Sequence, residues 1–459
     1  MIASKKFILI AIIVTAALTG CREKTDYSWE KDLKHRIALD FCRTPDEVKA
    51  YIRKYIPNVT DAQITDWTAS GKLEAMRIDG ELKYFRNAAP NLFRIDSECR
   101  AIKESITGRA KSSHMDIGEE NVKKVAAEVM GNDSSDIHSH LGQPKRIRVK
   151  YTLTIDADAV PDGEEVRCWL PYPRTDIPRQ QDVKFIEAGW ISRPSGTSSP
   201  QYFRTTLSNS EELTFSGNAS AHSTLYMKTK ASSGWPLVFY EEFEYTSYGE
   251  WIPLGLTKED KDIVRSKEAE RYLGERENHI KFTPRVLELR DSLSKGLNSQ
   301  LSKAQAFYNW VDNTFPWASA REYSTIPNIP EYVLKNRHGD CGQVSLLFIT
   351  LCRSAGIPAR FQSGFMMHPG EDGLHDWAEI WLDGYGWIPV DQSFGGEYYM
   401  GAIDSYRLVV NNDFGRTLIP EKKYPRSETV DFQRGEVEWR GGNIYFDQWN
   451  YVMNVTYLK

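Results

Sequence analysis

Between Asn336 and Gly342 the chain reads Asn-Arg-His-Gly-Asp-Cys-Gly, then passes at once into the apolar run Val344 to Cys352. A glycine-containing loop that hands over to such a run places Cys341 at a helix N-terminus. First-turn amides there lack intrahelical partners and the peptide dipoles align, so the position favours thiolate over thiol. Gly356 and Pro358 supply the stop signal, which predicts a helix from Cys341 to Ala355. Downstream, His375 to Leu382 alternates as a strand does, Asp383-Gly384-Tyr385-Gly386 turns, and Trp387 to Asp391 returns. A helix packed on a hairpin is the least that this fold must contain.

Side chains alternate faces along a strand. His375 and Asp391 can therefore meet only in a register that sets Asp391 opposite an odd-numbered residue of the first strand, such as Trp377. In that register they are diagonal neighbours, and Cys341, His375 and Asp391 stand in the order of a thiol, a proton acceptor and an orienting acid. Asp340 opposes this, because a carboxylate beside the thiol raises its pKa. Cys352 reads as packing, His338 and His368 as structural, Asp376 and Glu379 as solvated or hairpin-packing, and Arg360 as an anchor for a loop or an acid. Trp377, Trp381 and Trp387 read as core in preference to cleft.

Gly339-Asp340-Cys341-Gly342, Gly356-Ile357-Pro358-Ala359-Arg360, His375-Asp376-Trp377-Ala378-Glu379 and Gly386-Trp387-Ile388-Pro389-Val390-Asp391 together resemble the transglutaminase-like superfamily over residues 280–400. The resemblance implies a papain-like α+β core, a Cys341-His375-Asp391 triad and acyl chemistry on an amide. It also implies an oxyanion hole made by the Cys341 N–H and an upstream donor. Trp317 and Tyr323 are the candidates for that donor, with Trp317 preferred. Gln343 stands where members of the family often have an acid, so no role is assigned to it.

With 459 residues the chain exceeds one core, and roughly 150 residues per domain gives about three. From 21 to 142 the pattern is mostly helical, with Thr44-Pro45 opening one helix and a hairpin flanking Asp79-Gly80. From 143 to 253 short strands recur between turns, as in a β-sandwich. From 254 to 459 helices opened by Thr283-Pro284 and Ser302 precede the Cys341 segment, and strands then dominate. The sandwich is similar to the β-domain that precedes the core in bacterial members of the family, and the layout is similar to lipoproteins of that type from Bacteroidetes-like bacteria.

Residues 1–20 carry Lys5-Lys6, an apolar run and Leu18-Thr19-Gly20 before Cys21, which reads as an export signal ending in a lipobox. The stretch Phe7 to Gly20 is about 21 Å long as a helix, short of the roughly 30 Å hydrocarbon core. A lipid on Cys21 would then anchor the protein in the periplasm or at the cell surface, at the outer membrane. Among the remaining cysteines Cys42 with Cys99 is the one disulfide considered. Cys341 and Cys352 would lie about 16 Å apart along their helix and cannot pair. No CxxC or Cys/His spacing for zinc occurs, so neither a metal nor another cofactor is expected.

A net charge of −5 gives no basis for a nucleic-acid partner. The expected partner is a protein, peptide or glycopeptide substrate, with hydrolysis favoured because water is abundant outside the cell. The alternatives are acyl transfer to an amine, peptide N-glycanase-like deglycosylation, and a non-catalytic binding or scaffold protein; the sequence leaves oligomeric state open.

Overall fold

The computed structural model describes residues 27–108, 113–131, 140–193, 199–255 and 262–459. The expected export signal and lipid-bearing Cys21 lie outside these residues. Among the described residues no helix is long and apolar enough to cross a membrane.

Local signals set most of the N-terminal region. Thr44 caps the helix Pro45–Arg53 and shares a capping box with Glu47, and Thr60 does the same with Gln63 for Asp61–Ala69. Asp79 and Gly80 take positive φ values of 50° and 86°, as a tight turn between Ala75–Ile78 and Glu81–Tyr84 requires. These elements close over a core of Phe41, Ile52, Leu73, Phe85 and Leu92. Cys99 is buried there whereas Cys42 is exposed, and both are free thiols. The disulfide considered for them is not formed.

Two antiparallel sheets make the sandwich. One runs in the order Trp449–Leu458, Leu141–Ile155, Leu237–Trp251, Gln180–Ser192, Gln201–Thr205. The other runs Gly442–Ile444, Glu436–Trp439, Glu165–Pro171, Thr224–Lys230, Thr214–Phe215. Between them lie Tyr151, Leu153, Trp169, Leu225, Phe239 and Phe243. The expected division at residue 254 needs correcting, since Glu436–Trp439 pairs with Glu165–Pro171 and Trp449–Leu458 pairs with Leu141–Ile155 along its length. The last strands of the chain thus complete the sandwich, pairing with the edges that Leu141–Ile155 and Glu165–Pro171 would otherwise leave open.

The remaining sheet is antiparallel, in the order Gly386–Val390, Glu371–Leu382, Ala359–His368, Arg407–Asn411. One face packs on the helix Cys341–Ser354 and on Pro284–Leu293, Gln300–Thr314 and Ile329–Asn336 through a core that includes Leu347, Leu351, Ala378, Ile380 and Val390. Phe365, Met367, Leu408 and Val410 face the sandwich core instead. The architecture is α+β, with most of the sandwich ahead of the helix-and-sheet core in the chain and its last strands after it. Ser302 does not open its helix: Ser299 does, accepting from the Ser302 N–H at 3.0 Å. Either serine satisfies the sequence signal for a cap, and position relative to the buried face of Ala304, Phe307 and Val311 decides between them.

Candidate active site

The chain reverses into the Cys341 helix in a few residues. Arg337 ends the preceding helix in the left-handed region with φ 62°, and Asp340 is the next N-cap. Its carboxylate accepts from the Gln343 N–H at 3.0 Å, while the Gln343 side chain accepts from the Asp340 N–H at 3.2 Å. Asp340 and Gln343, whose roles were open, are thus the two halves of a capping box, which together fix where the helix begins. Burial raises Asp340 to about 6, against the pull of the Tyr323 hydroxyl at 2.6 Å and of the Gln343 N–H. Gly356, at φ 78°, ends the helix beyond Ala355, where the sequence signal put it.

The hairpin has the register that His375 and Asp391 need. Ala378 pairs with Val390, which sets Asp391 in line with Trp377. His375 Nε2 lies 2.7 Å from Asp391 Oδ2. Burial alone would raise Asp391, but His375 and Arg407, whose guanidinium is 3.0 Å away, bring it down to about 2. An ionised acid can only accept, so Nε2 carries the proton that it donates and Nδ1 keeps its lone pair. Burial holds His375 below its ordinary 6.5 despite Asp391, leaving a neutral imidazole at pH 7.

Cys341 does not hydrogen-bond to this imidazole. Its thiol, partly exposed, donates instead to Asp376 Oδ2 at 3.6 Å. Of the two roles expected for Asp376, solvated or hairpin-packing, the structure has the packed one: it is buried and accepts from Gln433 Nε2 at 3.0 Å. Adjacent strand residues point to opposite faces. His375 shares its face with Trp377, whereas Asp376 shares the helix-packed face with Ala378 and Ile380. That alternation was available in the sequence as a signal; Gln433, far downstream and in no motif, was not. Burial, with Asp376 and Asp340 adding to it, pushes the thiol well above its ordinary value, and burial with Asp431 and Asp340 does the same to Asp376.

The thiol lines a cleft of about 290 Å³, together with Trp317, Tyr323, Asp376, Asp431 and Arg434. Trp317 is held next to the nucleophile loop because Ala318 N–H donates to Gly339 O at 3.1 Å. The N-terminal helical region clamps the same loop from outside. Asn91 and Ser319 exchange two hydrogen bonds of 2.9 and 3.0 Å, Arg94 covers the Trp317 ring at 5.0 Å, and Asp40 accepts from Glu322 N–H at 2.9 Å. The two oxyanion candidates therefore differ: the Tyr323 hydroxyl is committed to Asp340, while the half-exposed Trp317 makes no indole N–H bond among the described residues.

Gly342 is a requirement of this packing. A Cβ there would fall inside contact distance of the Tyr323 hydroxyl and the Asp376 carboxylate. Glycine to alanine inside a helix ordinarily stabilises by about 1 kcal/mol. Gly342→Ala is expected to lower the urea midpoint instead and to slow alkylation of Cys341; a raised midpoint would show that the wall can move freely.

The other residues singled out in the sequence lie apart from the cleft. His338 is buried and held down to about 4 by that burial, His368 lies 3.2 Å from Asp404, and Cys352 is buried. Arg360 anchors Glu379 at 2.6 Å and Glu268 at 3.3 Å. Trp377 is fully buried, its N–H on Gln362 at 2.7 Å, and Trp381 meets Trp387 edge to face at 5.8 Å.

Residues 288–392 match the sequence model described as the Transglutaminase-like superfamily. A Haemophilus influenzae protein described as uncharacterized is 29% identical over an alignment of 161 residues that covers 29% of this chain and 42% of that protein. Among solved structures, a proposed cysteine protease from Cytophaga hutchinsonii aligns with TM-score 0.44 at 13% identity, covering 70% of this chain and 92% of that one. The periplasmic domain of TgpA from Pseudomonas aeruginosa, bound to ethylmercury, aligns with TM-score 0.26 at 14% identity, covering 51% and 91%. The segment that carries Cys341, His375 and Asp391, residues 288–392, is a transglutaminase-like domain.

Proposed function

We propose that this chain is an exported thiol hydrolase, anchored by lipid on Cys21, that cleaves amide bonds in proteins or peptides through Cys341, His375 and Asp391. The observation that carries the reading is a thiol at a helix N-terminus, opening on a cleft, beside a strand whose neutral imidazole is fixed by an ionised acid. In the resting arrangement the thiol rests on Asp376. For cleavage the thiol has to leave that carboxylate and cross to the face of the strand that carries His375, whose Nδ1 then takes its proton as the sulfur attacks the amide carbonyl. The Cys341 N–H and the Trp317 indole N–H are the donors for the oxyanion. The imidazolium returns its proton to the leaving amine. Water, deprotonated by the same imidazole, then splits the thioester to a carboxylic acid and the free thiol.

A second reading follows from the 3.6 Å contact itself, in which Asp376 and not His375 accepts the thiol proton. An amine in place of water would turn the same acyl-enzyme to cross-linking.

Adding the wild-type protein and Cys341→Ala separately to a protein extract, then mapping new N-termini, tests the reading. New N-termini are expected only with the wild type. New isopeptide bonds without new N-termini would assign acyl transfer, and indistinguishable maps would leave a binding protein. A general base commonly contributes about 10² to 10⁴ in rate, so His375→Ala is expected to lose at least a hundredfold.

A further inference from the structure

The cleft beside Cys341 carries five carboxylates, Glu322, Asp340, Asp376, Glu428 and Asp431, against three guanidiniums, Arg86, Arg321 and Arg434. The guanidiniums are already engaged. Arg434 holds Glu322 at 2.9 Å and Glu428 at 2.8 Å, Arg86 holds Glu322 at 3.2 Å, and Arg321 faces Glu74 at 3.7 Å. Two of the remaining acids are also served: Asp340 by the Tyr323 hydroxyl and the Gln343 N–H, Asp376 by Gln433 and the thiol.

Asp431 is different. It is only 8% exposed and lines the cleft, yet among the described residues its carboxylate accepts no hydrogen bond and lies in no ion pair. A buried acid left this way costs free energy in the empty protein. Burial, with the neighbouring Glu428 adding to it, pushes Asp431 well above the carboxylate range, further than Arg434 and Arg426 pull it back. Among the described residues no three acid, histidine or cysteine groups converge to hold a metal ion, so an organic cation is the simpler partner for Asp431. At about 290 Å³ the cleft is near the small end of the roughly 300–1,000 Å³ span of ligand pockets, the room of one extended side chain.

We propose that Asp431 is the specificity subsite of this cleft and binds an ammonium or guanidinium group of the substrate whose amide is presented to Cys341. The proposal rests on reading Cys341 as the nucleophile. A cation there would displace the proton that burial keeps on Asp431 and pair with the carboxylate so formed, offsetting its repulsion with Glu428, so substrates bearing Lys- or Arg-like groups bind in preference to neutral ones of the same size.

The thiol itself provides the test without a known substrate. The full-length protein is treated with three small methanethiosulfonates: aminoethyl (cationic), ethyl (neutral) and sulfonatoethyl (anionic). Labelling of Cys341 is followed by peptide mass spectrometry, with exposed Cys42 as the reference in each sample. The Cys341 to Cys42 rate ratio is expected to be about tenfold higher for the cation than for the neutral reagent, and lowest for the anion. Asp431→Asn should bring the cation to the neutral value, and Asp431→Glu should keep the preference. Equal ratios in the wild type, or a preference that survives Asp431→Asn, would overturn the subsite while leaving the nucleophile standing. Failure of Cys341 to react with any reagent would overturn the nucleophile and the subsite together.

Discussion

Asp376→Asn is expected to speed alkylation of Cys341 about tenfold at pH 7. The thiolate is the reacting form, and a carboxylate accepting the thiol proton at 3.6 Å is among the groups that keep it scarce. Two unit charges about 4 Å apart interact by about 4 kcal/mol at an effective dielectric of 20. Burial lifts Asp376 well above its usual range and so lessens its charge, and a third of that energy, about 1.4 kcal/mol, is one pKa unit and a tenfold change in thiolate. Asparagine keeps an oxygen for Gln433 Nε2, now at 3.0 Å, so the wall of the cleft has a partner for the amide it would otherwise strand. If Asp376 is itself the proton acceptor, the same substitution slows alkylation. The direction of the change therefore separates the two readings of the site.

The second large effect belongs to Arg407. It is fully buried, and its guanidinium lies 3.0 Å from Asp391 and 2.9 Å from Asp404. Arg407→Met leaves both acids buried without their cation, a change that commonly costs about 3–5 kcal/mol. The urea midpoint should fall accordingly. Arg440→Met, which breaks an ion pair with Glu164 whose arginine is 80% exposed, should change the unfolding free energy by less than about 1 kcal/mol. Asp391 is held at about 2 in the fold, below its usual 3.8. Its contribution is therefore present in full above that usual value and lost as pH falls toward 2. Without Arg407 the acid is easier to protonate, so the variant should lose stability at higher pH than the wild type does.

How legible these features were in the sequence depended on how far apart their partners lie. The Cys341 helix was readable at both ends because caps are local: Asp340 with Gln343 at the start, Gly356 at the stop. The meeting of His375 with Asp391 followed from period-two alternation and a short turn, which together allow few registers. The contact of Asp376 with the thiol was not foreseen, although the same alternation applies to it. Placing His375 on one face puts Asp376 on the other, and only the packed helix shows that this other face is where the thiol sits. Arg407, Gln433, Asp431 and Arg434 were not legible at all. They reach the site through strands and loops whose pairing depends on completing the sandwich with Glu436–Trp439 and Trp449–Leu458, a tertiary fact with no local signature. The sequence preference for Trp317 over Tyr323 is consistent with the Tyr323 hydroxyl being committed to Asp340.

The account stands on Cys341 as a nucleophile served by His375. The rate at which each cysteine is alkylated in the folded protein, mapped by mass spectrometry in wild type and His375→Ala, tests this most directly. Cys341 should be modified well ahead of buried Cys168 and Cys352, and His375→Ala should slow Cys341 while leaving Cys42 unchanged. A Cys341 no more reactive than Cys352, or one whose rate ignores the loss of His375, would contradict it.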